Sequence, residues 1–118
     1  AEVGSFPIPK ARDVAVLGQR AYLVDETNLW IIDVSDLSSL KLIQIHPVQG
    51  GAGRLTMDGQ LAYITNNDRL QILDLTDPLQ PRSVGFYITT GNPNSVAVEG
   101  GFIFVADRDG GLVILRQE

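Results

Sequence analysis

The chain has 118 residues, 44% apolar and 19% charged, with a formal net charge of −5 from fourteen acidic and nine basic side chains, the balance of one folded domain and not of a disordered segment. Its Lys and Arg residues form no cluster, which excludes nucleic acid as the expected partner and disfavours anionic membranes, because counterion release needs local positive charge. Zero cysteines remove disulfides, thiolate nucleophiles and cysteine-based zinc sites, and apolar runs such as Leu29-Trp30-Ile31-Ile32, with the longest at Phe102-Ile103-Phe104-Val105-Ala106, are far short of the roughly 20 residues of a membrane-spanning helix.

Residues 3–8, Val3-Gly4-Ser5-Phe6-Pro7-Ile8, match the later segments 43–48 and 84–89 and are predicted as an outer strand. Residues 12–17, 20–24, 29–34 and 40–45 follow as four short strands rich in Val, Ile, Leu and Tyr, bounded by turn residues. Gly18 lies in the first turn, where a two-residue hairpin needs positive φ. Residues 25–28 form the second turn, and Ser35-Asp36-Leu37-Ser38-Ser39 the third, whose Asp can bond back to nearby amides. No 3.6-residue apolar period runs beyond two turns, so helix is predicted to be nearly absent.

The same unit then recurs twice. Gly18, Gly59 and Gly100 are 41 residues apart, as are Val14, Leu55 and Val96, and Tyr22, Tyr63 and Phe104. Leu29, Leu70 and Leu112 step by 41 and then 42, because Gly110-Gly111 adds one residue to a turn, where an insertion is best tolerated. Asp33 and Asp74 continue the match, with Arg116 in their place in the third copy. The predicted organisation is one domain, 1–118, with repeats at 3–42, 43–83 and 84–118. A four-stranded unit with a period of about 40 to 45 residues is the mark of a propeller blade. The predicted fold is therefore all-β, three four-stranded antiparallel blades per chain.

The segments Ala21-Tyr22-Leu23-Val24-Asp25, Leu29-Trp30-Ile31-Ile32-Asp33-Val34-Ser35-Asp36, Leu70-Gln71-Ile72-Leu73-Asp74-Leu75-Thr76-Asp77-Pro78 and Gly111-Leu112-Val113-Ile114-Leu115 resemble the LVIVD-repeat proteins of bacteria and archaea. The resemblance covers essentially the whole chain. It implies a β-propeller, often in secreted or cell-surface proteins, with no common catalytic activity. Members of that family usually carry more copies than three.

Closed propellers need roughly four to eight blades, so three blades leave two raw faces and unpaired edges. The partner expected is a second copy: a homodimer forming a six-bladed ring, with the N-terminal strand of each chain completing the last blade of the other.

Chemistry-bearing residues are few. His46, the single histidine, falls in register with Phe6 and Tyr87, an aromatic slot on the outer strand. Asp107-Arg108-Asp109-Gly110 echoes the start of a calcium loop but lacks its later oxygen ligands and reads as a hairpin turn, with a weak calcium site assembled with another loop as the alternative. Gly50-Gly51-Ala52-Gly53-Arg54 lacks the Lys-Ser/Thr of a phosphate loop and reads as a connection between blades. Trp30 weighs a sugar-stacking role against packing. No catalytic residue, metal ligand or cofactor is assigned.

Binding residues concentrate on loops held by a rigid scaffold. Connections from a fourth strand to the next first strand, and turns from a second to a third, share one propeller face at the channel mouth. The candidates there are Asp13, Arg54 and Ser95, which are register-equivalent yet chemically different; Asp25, Asn66 and Asp107; and Asn92 and Asn94. The function expected is a non-enzymatic scaffold binding a protein or glycan through this face. One alternative is a hydrolase or lyase using carboxylates in the central channel. Another is a piece of a larger cell-surface propeller with no activity of its own.

Overall fold

The structure is a computed structural model describing residues 1–48, 50–89 and 91–116; residues 117 and 118, the end of the third expected repeat, lie outside it. The first sheet runs in chain order through β1 (Asp13–Leu17), β2 (Arg20–Val24), β3 (Asn28–Asp33) and β4 (Lys41–Pro47). The second does the same with β5 (Arg54–Asp58), β6 (Leu61–Thr65), β7 (Arg69–Asp74) and β8 (Arg82–Ile88). The third has β9 (Pro93–Glu99), β10 (Phe102–Asp107) and β11 (Gly111–Arg116), with a single 3-10 turn at Arg108–Gly110. All pairings are antiparallel. These are the expected blades, two of four strands and one of three, and residues 1–12 belong to no strand.

The repeat reaches down to irregularities. The β3–β4 register slips between Ile31 and Ile32, and the β7–β8 register slips at the equivalent place, between Ile72 and Leu73. Gly18 and Gly59 open the first hairpin of their blades at φ 61° and 57°, the left-handed backbone that tight hairpin turns require.

Alternation gives each strand two faces, and here both are buried wherever a neighbouring blade exists. Tyr22, Val24, Leu29 and Ile31 from one face of the first blade pack with Leu55, Ala62, Ile64 and Leu73 of the second. The opposite face of the second blade, through Tyr63, Leu70 and Ile72, packs with Val96, Ile103 and Val105 of the third. This explains the nearly unbroken apolar runs: Ala62, Tyr63 and Ile64 are successive residues of β6, all buried, and belong alternately to two cores.

The segment Leu-x-Ile-x-Asp on β3 and β7 follows from the same geometry. On β7, Leu70 and Ile72 face the third blade and Leu73 the first; on β3, Leu29 and Ile31 face the second blade, and Asp33 turns the chain by accepting the Ser35 backbone N–H at 2.8 Å. Asp74 repeats this with Thr76 at 2.9 Å.

Candidate functional site

Between the loops at one end of the three sheets lies a cleft of about 590 Å³. Its walls are the connection from β4 to β5, the β2–β3 and β6–β7 turns, the start of β9 and the 3-10 turn.

One side chain per blade braces these loops. Asp25 accepts the backbone N–H groups of Thr27 and Asn28 through Oδ1, at 2.8 and 2.7 Å, and the Trp30 indole N–H through Oδ2 at 2.9 Å. Burial pushes its carboxyl up, but these donors outweigh that and hold it below the ordinary value. Asn66 accepts from Asp68 and Arg69 through Oδ1 and donates its amide to the carbonyls of Gly50 and Gly51, at 3.0 and 3.3 Å. Asp107 is fully buried and accepts the Gly91 N–H through Oδ2 at 3.1 Å. The three are equivalent in the repeat, and their common work is local: a short polar side chain satisfying loop amides that no ladder reaches.

The glycine-rich connection is shaped by contact. Gly50 and Gly51 have φ of 82° and 91°, and a β-carbon on Gly51 would lie 2.9 Å from the Glu26 carbonyl oxygen. The Ala52 N–H donates to that same oxygen at 2.9 Å, and Gly53 N–H to the Thr65 carbonyl at 2.6 Å. The loop is thereby sewn to both flanking turns and forms the cleft floor.

Three guanidinium groups reach the cleft. Arg12 donates to the Ala52 carbonyl at 3.3 Å and to Glu26 at 3.0 Å, forming an ion pair. Arg54 and Arg108 are exposed in the wall and, among the described residues, their side chains have no hydrogen-bond or ionic partner. Asn66, Asn67, Asn92, Asn94, Thr27 and Thr65 supply the remaining polar groups, and Glu26 is the sole carboxylate among the described lining residues. Among the described residues the lining holds no aromatic ring and no large aliphatic side chain.

Of the eight residues singled out by sequence, Arg54, Asn66, Asn92 and Asn94 line the cleft. Asp13 does not: it accepts the Leu55 N–H at 2.9 Å and ties the first blade to the second. Asp25 and Asp107 face inward as braces, and Ser95 is exposed on β9 outside the lining. Arg12, Glu26 and Arg108 are lining residues that lie in the segments the sequence placed on this face, 10–13 and the neighbours of Asp25 and Asp107, but that it did not single out. Each is the immediate neighbour of a residue it did single out, Asp13, Asp25 and Asp107.

The remaining candidates have local roles. Trp30 is partly buried with its indole N–H on Asp25, and His46 is partly buried on β4 opposite Leu29, with desolvation holding its pKa below the usual 6.5. Among the described residues no three His, Asp or Glu side chains converge.

The family model described as LVIVD repeat matches residues 9–46, 49–89 and 90–115. Each match covers one blade. No curated protein matches the chain.

Proposed function

The chain belongs to the LVIVD-repeat family, a repeat module of propeller-like β-blades, and on that premise we propose that it is a non-enzymatic binding module whose loop-face cleft takes an acidic glycan. The observation that carries this is the pair Arg54 and Arg108, two exposed guanidinium groups in a wall otherwise made of side-chain amides and hydroxyls. Arginine's planar fork suits bidentate contact with a carboxylate or sulfate. Asparagine amides offer both donors and an acceptor, which fits the hydroxyls of a saccharide ring.

Among the described lining residues three guanidinium groups stand against one carboxylate, on a chain of net charge −5, a balance that favours an anion at the cleft wall. Ala52 is the one apolar side chain among the described lining residues, which disfavours a large hydrophobic peptide anchor. The one carboxylate among the described lining residues, paired with Arg12, is not an opposed acid and base as in a glycosidase.

Calorimetric titration with a uronic-acid oligosaccharide and a neutral oligosaccharide of equal length tests the reading. Uronate binding that weakens with salt and falls about tenfold or more in Arg54→Ala, a loss of roughly 1.4 kcal/mol or more, is the expected outcome. Equal binding of both sugars, or of neither, overturns it, and binding of an acidic peptide instead assigns the cleft to a protein partner.

A further inference from the structure

Blades one and three each keep one apolar face open. Val14 and Val16 on β1 are 55% and 65% exposed, whereas Leu55 and Val96, the equivalents of Val14, are 5% and 8% exposed because a preceding blade covers them. On the other side Leu112 and Ile114 of β11 are 66% and 54% exposed, while Leu70 and Ile72 at the same positions are 0% and 8% exposed under the following blade. The two open faces are the two halves of a contact the chain already makes twice, between blades one and two and between blades two and three. They flank the second blade on opposite sides, so within one chain they do not meet.

The outer edge of β11 is also open: the third sheet ends there in the order β9-β10-β11, where the first two sheets each have a fourth strand. A segment that matches the outer strands in sequence lies in residues 3–8. Gly4 packs so closely against the Leu37 carbonyl, in the β3–β4 turn, that a β-carbon on it would collide. Gln44 of β4 likewise reaches the turn one blade on, donating its amide to the carbonyl of Leu79 in the β7–β8 turn at 2.9 Å, one repeat position past the equivalent of Leu37. Gly4 thus lies against the β3–β4 turn of the first blade, where the outer strand of a preceding blade would run.

We propose that the preceding blade is the third blade of a second copy of this chain, and that two copies close one six-bladed ring. The open face through Leu112 and Ile114 covers Val14 and Val16 of the other copy, and residues 3–8 of that copy pair with β11. The register follows from the repeat. Ile72 pairs with Gly85 and Leu70 with Tyr87, which places Gly4 opposite Ile114 and Phe6 opposite Leu112. Pro7 then falls opposite Gly111, as Pro47 falls opposite Asn28, so the missing N–H is already tolerated at that ladder position. A two-fold axis makes both contacts at once, and six blades lie within the closed range of roughly four to eight, where nine do not.

Light scattering on the eluting protein at micromolar concentration reads the mass. Twice the 12.8 kDa of one chain is the predicted result; one chain mass, or three or more, overturns the proposal. Val16→Asp places a charge on a side chain that is exposed in the single chain, so it is predicted to give a one-chain mass with the β circular-dichroism signal retained. A Val16→Asp protein that keeps the two-chain mass contradicts the proposed face. Deleting residues 1–9 removes the strand and leaves the blades, and adding the peptide of residues 1–9 back is predicted to restore its protection of β11 in hydrogen exchange; failure to bind contradicts the proposed edge.

Discussion

The Asp13 carboxylate accepts the Leu55 backbone N–H at 2.9 Å, joining the first strand of one blade to the first strand of the next. Leu55 is buried, so this N–H has no water to fall back on. Between the second and third blades a different pair does similar work, the Thr56 hydroxyl donating to the Val96 carbonyl at 3.0 Å.

Asp13→Ala leaves a buried donor unsatisfied and is predicted to lower stability by about 1 to 3 kcal/mol. Asp13→Asn keeps an acceptor in place and is predicted to lose less. Urea unfolding of the three proteins checks the order, and an alanine variant as stable as the parent contradicts it.

The glycines separate into two kinds. Gly18 has a φ of 61° with nothing near its missing β-carbon, whereas Gly51 has a φ of 91° and a backbone oxygen at 2.9 Å. Gly18→Ala is predicted to cost about 1 to 2 kcal/mol from backbone conformation alone. Gly51→Ala adds a collision, exceeds that cost, and also shifts the cleft floor. Thermal unfolding and ligand titration on both variants read the difference: only Gly51→Ala is predicted to weaken binding.

Acid destabilises this fold through its turns. The Ser35 hydroxyl and backbone hold Asp33 below the ordinary aspartate value of 3.8, Ser38 does so for Asp36, and Thr76 for Asp74. A depressed folded-state pKa means that the unfolded chain binds protons more readily. The stability these groups contribute is present above about pH 4 and is lost as pH falls through their lower folded-state values. His46, held below 6.5 by desolvation, has the same sign: its contribution is full above 6.5 and declines as pH falls through its folded-state pKa. The thermal midpoint is predicted to hold near neutrality, to dip slightly below pH 6.5, and to fall steeply below about pH 4. A midpoint that rises on acidification contradicts this.

The blades were legible in the chain because a strand covered on both faces must be apolar at every position, and the 41-residue step from Gly18 to Gly59 repeats that pattern with its turns. The cleft was legible only in part. Register equivalence placed Asp25, Asn66 and Asp107 in the right loops, but it carries no side-chain direction. Asp25 and Asp107 turn in to brace amides, and of the three Asn66 alone reaches the cleft. Arg12 and Arg108 fell in segments expected on this face but were not singled out, because a basic residue beside a turn is ordinary in sequence. Their significance arises only where two loops and a third blade bring them together.

Ring closure is tested most directly by hydrogen exchange of the backbone amides across residues 3–8. If these residues pair with β11 of a second copy, their exchange is slowed at micromolar concentration, the slowing is shared by β11, and both are lost together on dilution or in Val16→Asp. Exchange of residues 3–8 at the rate of an unpaired chain, at a concentration where the protein is folded, contradicts the six-bladed ring.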